Sequence, residues 1–174
     1  MRILFLGDVV GNPGCLQIKL HLSEQIKKNE IDFVIVNGEN ADETGVGLTK
    51  EICESFFEYG VNVITTGNHV WDQKEIMNFI DKENRLLRPH NLFEPAPGKG
   101  FAIYQTKNNL KIGVLNLMGN VFMKKCDNVF DISREFLAKF ELKKDYDFLI
   151  VDFHGEITSE KNAIGHYFDG KATL

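Results

Sequence analysis

Short apolar runs alternate with amphipathic stretches along the first half of the chain. Ile3-Leu-Phe-Leu6, Phe33-Val-Ile-Val36 and Val61-Asn-Val-Ile-Thr65 are rich in branched residues. Their spacing, roughly the thirty residues of a strand-helix-strand unit, predicts buried parallel strands. Between them, Cys15 to Lys28 and Thr49 to Tyr59 carry apolar residues at helical spacing, with Ile52, Phe56 and Phe57 on one face and Glu51, Glu54 and Glu58 elsewhere. Thr49 has Ile52 three places on, so the acidic half of a capping box is missing. A third helix is predicted from Asp72 to Lys82.

The second half reads differently. The Pro and Gly cluster from Pro89 to Gly100 predicts a long irregular loop. Phe101 to Gln105 and Lys111 to Leu117, joined across Lys107-Asn-Asn109, suit an antiparallel hairpin. A helix from Ser133 to Phe140, a strand at Phe148-Leu-Ile-Val151 and a helix from Thr158 to Tyr167 complete the pattern. The alternation predicts an α/β fold, and 174 residues without a repeat or linker predict a single domain over 1–174.

Charge and cysteine usage narrow the function. A net charge of -5 argues against an extensive nucleic-acid surface, which needs clustered Lys and Arg. Lys124-Lys125 and Lys143-Lys144 are too small for such a footprint and read as solvated surface. The phenylalanines fall mostly at strand or helix positions, as Phe5, Phe33, Phe56 and Phe153 do, and read as core rather than as base-stacking platforms. Cys15, Cys53 and Cys126 lack the paired spacing of a zinc site or a disulfide framework, which fits a reducing cytoplasm. Ile3 to Leu6 is too short to cross a membrane.

Polar clusters stand at the ends of four strands: Gly7-Asp8, Asn37-Gly-Glu-Asn40, Gly67-Asn-His69 and Asp152-Phe-His154. In open α/β sheets that edge binds ligands. Asp and Asn also cap helices there, and Gly makes turns, so one cluster alone decides nothing. Together Asp8, Glu39, Asn40, Asn68 and His154 supply the carboxylate, amide and imidazole mixture that divalent metals need. Gly7, Gly11 and Gly14 are wrongly spaced for a dinucleotide-binding turn. Arg88 has the fork of donors to reach a phosphate, or stands solvated on the surface. Trp71 and Asp72 read as packing and a helix cap, and His21, His90 and His166 as packed or solvent-facing.

The phrases GDVVG, NGEN, TTGNHVWD, NLMG and VDFHGEITSEK resemble the YmdB-like bacterial metallophosphoesterases, a family of 2′,3′-cyclic-nucleotide 2′-phosphodiesterases. The GNH element is shared with the wider calcineurin-like phosphoesterases, whereas NGEN and VDFH-E-TSEK mark the narrower family. The resemblance implies a calcineurin-like α/β/β/α sandwich with mixed sheets. It implies two metal ions, iron in the first place with manganese or zinc as alternatives: Asp8 and Asn40 on one, Asn68 and His154 on the other, Glu39 bridging, and a hydroxide as nucleophile. It casts His69 as proton donor to the leaving sugar oxygen, a task that suits an imidazole.

The Asp8 element lacks the histidine two places on that most calcineurin-like enzymes carry, as the narrower family does. The family continues into a strand and a GTHTH-like loop with two further histidine ligands, and the sequence stops at Leu174 before them. The expectation is therefore a domain without its C-terminal strands, with a sheet edge that a second copy could cover. The implied substrate is a small phosphodiester or cyclic nucleotide. The alternative is an inactive remnant or regulatory binding protein that keeps the fold; a nucleotide-binding module without metal ranks last.

Overall fold

Three apolar runs form parallel strands: β1 Ile3–Leu6, β2 Phe33–Asn37 and β3 Val63–Thr65. Leu6 stands beside Val36, and Asn37 beside Thr65. β2 is buried along its whole length, as a central strand covered on both faces must be. The computed structural model describes residues 1–93 and 95–174. Two units, Met1–Leu86 and Leu87–Leu174, each carry their own sheet and core.

In the first unit the crossovers are helices α1 Gly11–Lys28 and α2 Lys50–Glu58. α1 starts four residues earlier than the apolar pattern indicates. Pro13 falls in its first turn, where backbone N–H groups have no intrahelical partner, so the missing donor costs nothing. Ile18 and Leu22 are its buried face; Cys53 and Phe56 are that of α2. Thr49 caps α2 through its hydroxyl, which accepts from the Ile52 amide at 3.3 Å.

The helix predicted over Asp72–Lys82 is instead a 3-10 turn, Lys74–Asn78, followed by further turns. The apolar positions are used, since Ile76 and Ile80 are both buried. A tertiary contact takes precedence over the helical ladder: Glu75 Oε1 accepts from the Lys50 amide at 2.6 Å, in the first turn of α2. A two-residue strand, β4 Leu86–Leu87, comes next to β3 in the sheet order.

The second unit holds β5 Phe101–Gln105, β6 Lys111–Met118 and β7 Phe148–His154. β5 and β6 form the expected antiparallel hairpin, and Asn109 takes the left-handed conformation that asparagine tolerates. β7 lies parallel to β6, pairing Met118 with His154, which makes the sheet mixed. The parallel crossover is α3 Val129–Lys139, and α4 Thr158–Phe168 follows β7. Leu115, Leu117, Phe136, Tyr146, Leu149 and Ile164 centre the core, with the Phe101 ring edge-on to Phe136 at 4.8 Å.

Pro89 to Lys99 contains neither helix nor strand among the described residues, apart from a bridge between Leu87 and Lys99. Arg88 neither stands on the surface nor offers a phosphate site. It is 4% exposed, and its guanidinium donates to the carbonyls of Pro89, Ala96 and Pro97 at 2.9, 3.2 and 3.3 Å. Among the described residues no helix is long and apolar enough to cross a membrane.

Candidate active site

Beyond the last strand residues of the first unit, the parallel ladder continues as single hydrogen bonds. Val9 N–H donates to Asn37 O at 3.0 Å, Gly11 N–H to Asn40 O at 2.8 Å, and Gly38 N–H to Thr65 O at 2.9 Å. These bonds hold Asp8 and the Glu39–Asn40 pair on one edge, at the end of β3 from which Asn68 and His69 follow.

Asp8 and Asn40 meet directly. The Asn40 amide donates to Asp8 Oδ1 at 3.1 Å and to Oδ2 at 2.9 Å. Its own Oδ1 is buried and accepts no hydrogen bond among the described residues. An amide oxygen left in that state costs free energy unless a donor or a cation reaches it. Glu39 is 1% exposed, and its amide donates to Asn37 Oδ1 at 3.1 Å. A buried carboxylate, an exposed one and an undonated amide oxygen form an oxygen-rich set that fits a hard or borderline cation. Among the described residues no three His, Cys, Asp or Glu side chains are grouped so as to hold a metal ion.

His69 Nδ1 lies 2.6 Å from Asp72 Oδ2, both side chains being about two-thirds covered. Asp72 is thus not the helix cap the sequence suggested; it grips the imidazole. The signal was available in the spacing of three residues within one turn, where Asp72 N–H also donates to His69 O at 3.0 Å. The next residue, Gln73, reaches the loop after Asn40, donating to Asp42 Oδ1 and Val46 O at 3.0 Å each. Asp42 Oδ1 also accepts the Thr44 hydroxyl at 2.6 Å. That hydroxyl holds the Asp42 carboxyl below its usual range, against the opposing effect of burial, so the tie is anionic at neutral pH. Asp42 and Gln73 carry no motif of their own.

In the second unit His154 ends β7, half-buried, with its carbonyl accepting Gly119 N–H at 2.9 Å. Glu160, 7% exposed, accepts from the amides of Asn120 at 2.8 Å and Val121 at 3.4 Å. A Cβ at Gly119 would collide with the Glu160 carboxylate, which accounts for glycine in the NLMG phrase. The Glu in TSEK therefore shapes the turn that the NLMG phrase begins.

The family profile described as YmdB-like protein matches residues 4–174. This chain belongs to the YmdB-like family. It is 44% identical over 173 residues to the 2′,3′-cyclic-nucleotide 2′-phosphodiesterase of Bacillus subtilis (strain 168), covering 99% of this chain and 64% of that protein. The crystal structure of a hypothetical protein from Thermus thermophilus superimposes with TM-score 0.89 at 36% identity, over 99% of this chain and 65% of that one. That of a novel phosphatase from Mycoplasma pneumoniae gives 0.88 at 40% identity, over 98% and 61%. The YmdB-like chain thus spans just under two thirds of the length of these relatives, and the calcineurin-like α/β class expected from its sequence holds. Beside the Asp8, Glu39, Asn40 and His69 edge of the first unit, α1 and β1 border a groove of about 800 Å³. Its walls are mainly apolar, with Asp8 and His21 the titratable groups.

Proposed function

We propose that this YmdB-like chain carries the site of a metal-dependent phosphodiesterase acting on cyclic nucleotides or related small phosphodiesters. The observation that carries the proposal is the Asp8, Glu39 and Asn40 donor set beside a histidine gripped by a carboxylate. The name of the Bacillus subtilis relative supports the substrate class.

Within the first unit Asp8, Glu39, Asn40 and Asn68 would hold metal, preferably iron, with manganese or zinc as alternatives; His154, in the second unit, is a candidate ligand on the family resemblance alone. Such ions, when bound, neutralise phosphate oxygens and acidify water. The residues of the chain do the rest. Glu39 brings a negative charge into a buried position where two cations would otherwise repel, and Asp8 fixes the Asn40 amide. With Nδ1 committed to Asp72, the imidazole of His69 carries its transferable proton on Nε2, where the leaving sugar oxygen can take it. Three free thiols, at Cys15, Cys53 and Cys126, support a cytoplasmic setting.

The test is elemental analysis of protein purified without added metal, with hydrolysis of 2′,3′-cyclic AMP measured before and after chelation. Two ions per chain and chelator-sensitive turnover are expected. Glu39→Gln should lose metal. His69→Ala should keep metal and lose on the order of 10²- to 10⁴-fold in kcat, the usual weight of a general acid. Variants as active as the parent would sink the assignment; an empty, inactive chain that still binds nucleotide would point to a regulatory binding protein instead.

A further inference from the structure

Two groups on the edge of the first unit are far apart in sequence: the Glu39–Asn40 pair after β2 and His69 after β3. The Gln73 side chain connects their surroundings. Gln73 directly follows Asp72, which grips the His69 imidazole, and its amide nitrogen donates to Asp42 Oδ1 and to Val46 O at 3.0 Å each. Both hydrogens of that amide are thereby used. The receiving loop returns to the candidate metal ligands, since Gly47 N–H donates to Glu39 O at 2.6 Å and Asp42 N–H to Gly47 O at 3.0 Å.

The loop is shaped for this contact. Gly47 takes φ 83°, and a Cβ there would lie 2.7 Å from Gln73 Cγ and 3.0 Å from the Gln73 backbone nitrogen. Glycine is required on both counts, conformation and space. Asp42 is 8% exposed, and its Oδ1 also accepts Thr44 N–H at 3.0 Å. Gln73 therefore meets a buried carboxylate and a backbone carbonyl, two acceptors that a side chain without a donor would leave short of a partner.

We propose that Gln73 is a positioning residue that couples the metal-holding pair Glu39–Asn40 to the proton donor His69. The proposal rests on the phosphodiesterase reading and adds a route by which order in one half of the edge fixes the other. Gly47 holds the backbone of Glu39, Gln73 holds the loop that carries Gly47, and Asp72, next to Gln73, fixes the imidazole. Partners of this kind, one contact removed from a ligand, weigh about 10- to 100-fold in metal affinity or activity. Both contacts use Gln73 as donor, so the chemistry of the side chain matters more than its size. A glutamate of the same shape would set one carboxylate against another.

The test uses the full chain and reads Mn²⁺ affinity by electron paramagnetic resonance alongside kcat for 2′,3′-cyclic AMP at saturating Mn²⁺. Gln73→Glu, and Gln73→Met as a neutral side chain of similar length without a donor, should each weaken Mn²⁺ binding about tenfold and lower kcat by roughly 10- to 100-fold. Gln73→Glu/Asp42→Asn reverses the direction of the hydrogen bond between the two side chains and should recover most of both losses. Single variants that bind and turn over like the parent would overturn the proposal, as would a double variant no better than Gln73→Glu. Weaker Mn²⁺ binding with kcat unchanged would also overturn it, confining Gln73 to the metal loop. A parent without turnover would sink the phosphodiesterase reading instead, and NMR of the metal-free protein then decides the coupling. There Gln73→Met should speed exchange of the Gly47 amide about tenfold, the weight of one hydrogen bond, and shift the His69 imidazole nitrogens. Either signal unchanged overturns the coupling.

Discussion

Asp72 matters at the scale of one residue because a histidine has two nitrogens and only one can face a substrate. A carboxylate at 2.6 Å from Nδ1 settles the tautomer and the ring orientation together. Asp72→Asn keeps the shape of the side chain but removes its charge, so it should lower kcat by roughly 10- to 100-fold and leave KM nearly unchanged. Because Asp72 would act through His69, the double variant Asp72→Asn/His69→Ala should be no slower than His69→Ala alone. Steady-state kinetics of the four proteins checks this. An additive double variant would show that Asp72 acts elsewhere. Gln73, one residue on, ties the loop after Asn40 to the same turn, so both halves of the first unit's edge depend on consecutive side chains.

At the scale of elements, the ends of helices are set by side chains that satisfy free amides. Asn128 accepts from the amides of Phe130 at 3.0 Å and Asp131 at 3.2 Å, and α3 begins there rather than at Ser133. Asn128→Ala should destabilise the protein by about 1 kcal/mol in urea unfolding, whereas Asn128→Asp, which keeps the acceptor, should cost a few tenths at most. Equal losses would show that the cap is unimportant. The apolar runs revealed β1 to β3, β5 to β7 and all four α-helices because core burial imposes their period, whereas the two-residue β4 left no such run. Boundaries were less legible: Asn128 and Pro13 act by local bonding, which apolar spacing does not record. The 3-10 turn at Lys74–Asn78 was hidden for a similar reason, since the Glu75 bond to α2 is tertiary. Glu39, Asn40 and His69 could be read from their phrases, but the grip of Asp72 and the tie made by Gln73 come only with the fold.

At the scale of the whole molecule, folding buries several weak acids that carry no charge at neutral pH. Burial, followed by the nearby charge of Glu83, pushes the Cys53 thiol up to about 12. Burial, followed by Asp127 and Glu160, takes Cys126 to about 11, and burial, followed by Asp145, takes the Tyr146 phenol to about 12. Their ordinary values are 9.0 for the thiols and 10.0 for the phenol. From pH 9 upward the unfolded chain releases these protons while the folded chain keeps them. The unfolded state then binds fewer protons, so stability falls as pH rises. The stabilising effect of the neutral forms is complete below pH 9 and is lost on the way to pH 11 and 12. Urea midpoints should therefore be flat from pH 7 to 8.5 and drop steadily above. Cys53→Ala removes one of the three acids. Its midpoint should start lower, because it leaves a gap in the core, yet fall less steeply than the parent's between pH 9 and 11. Parallel slopes for the two proteins would mean that the alkaline loss originates outside the buried thiol.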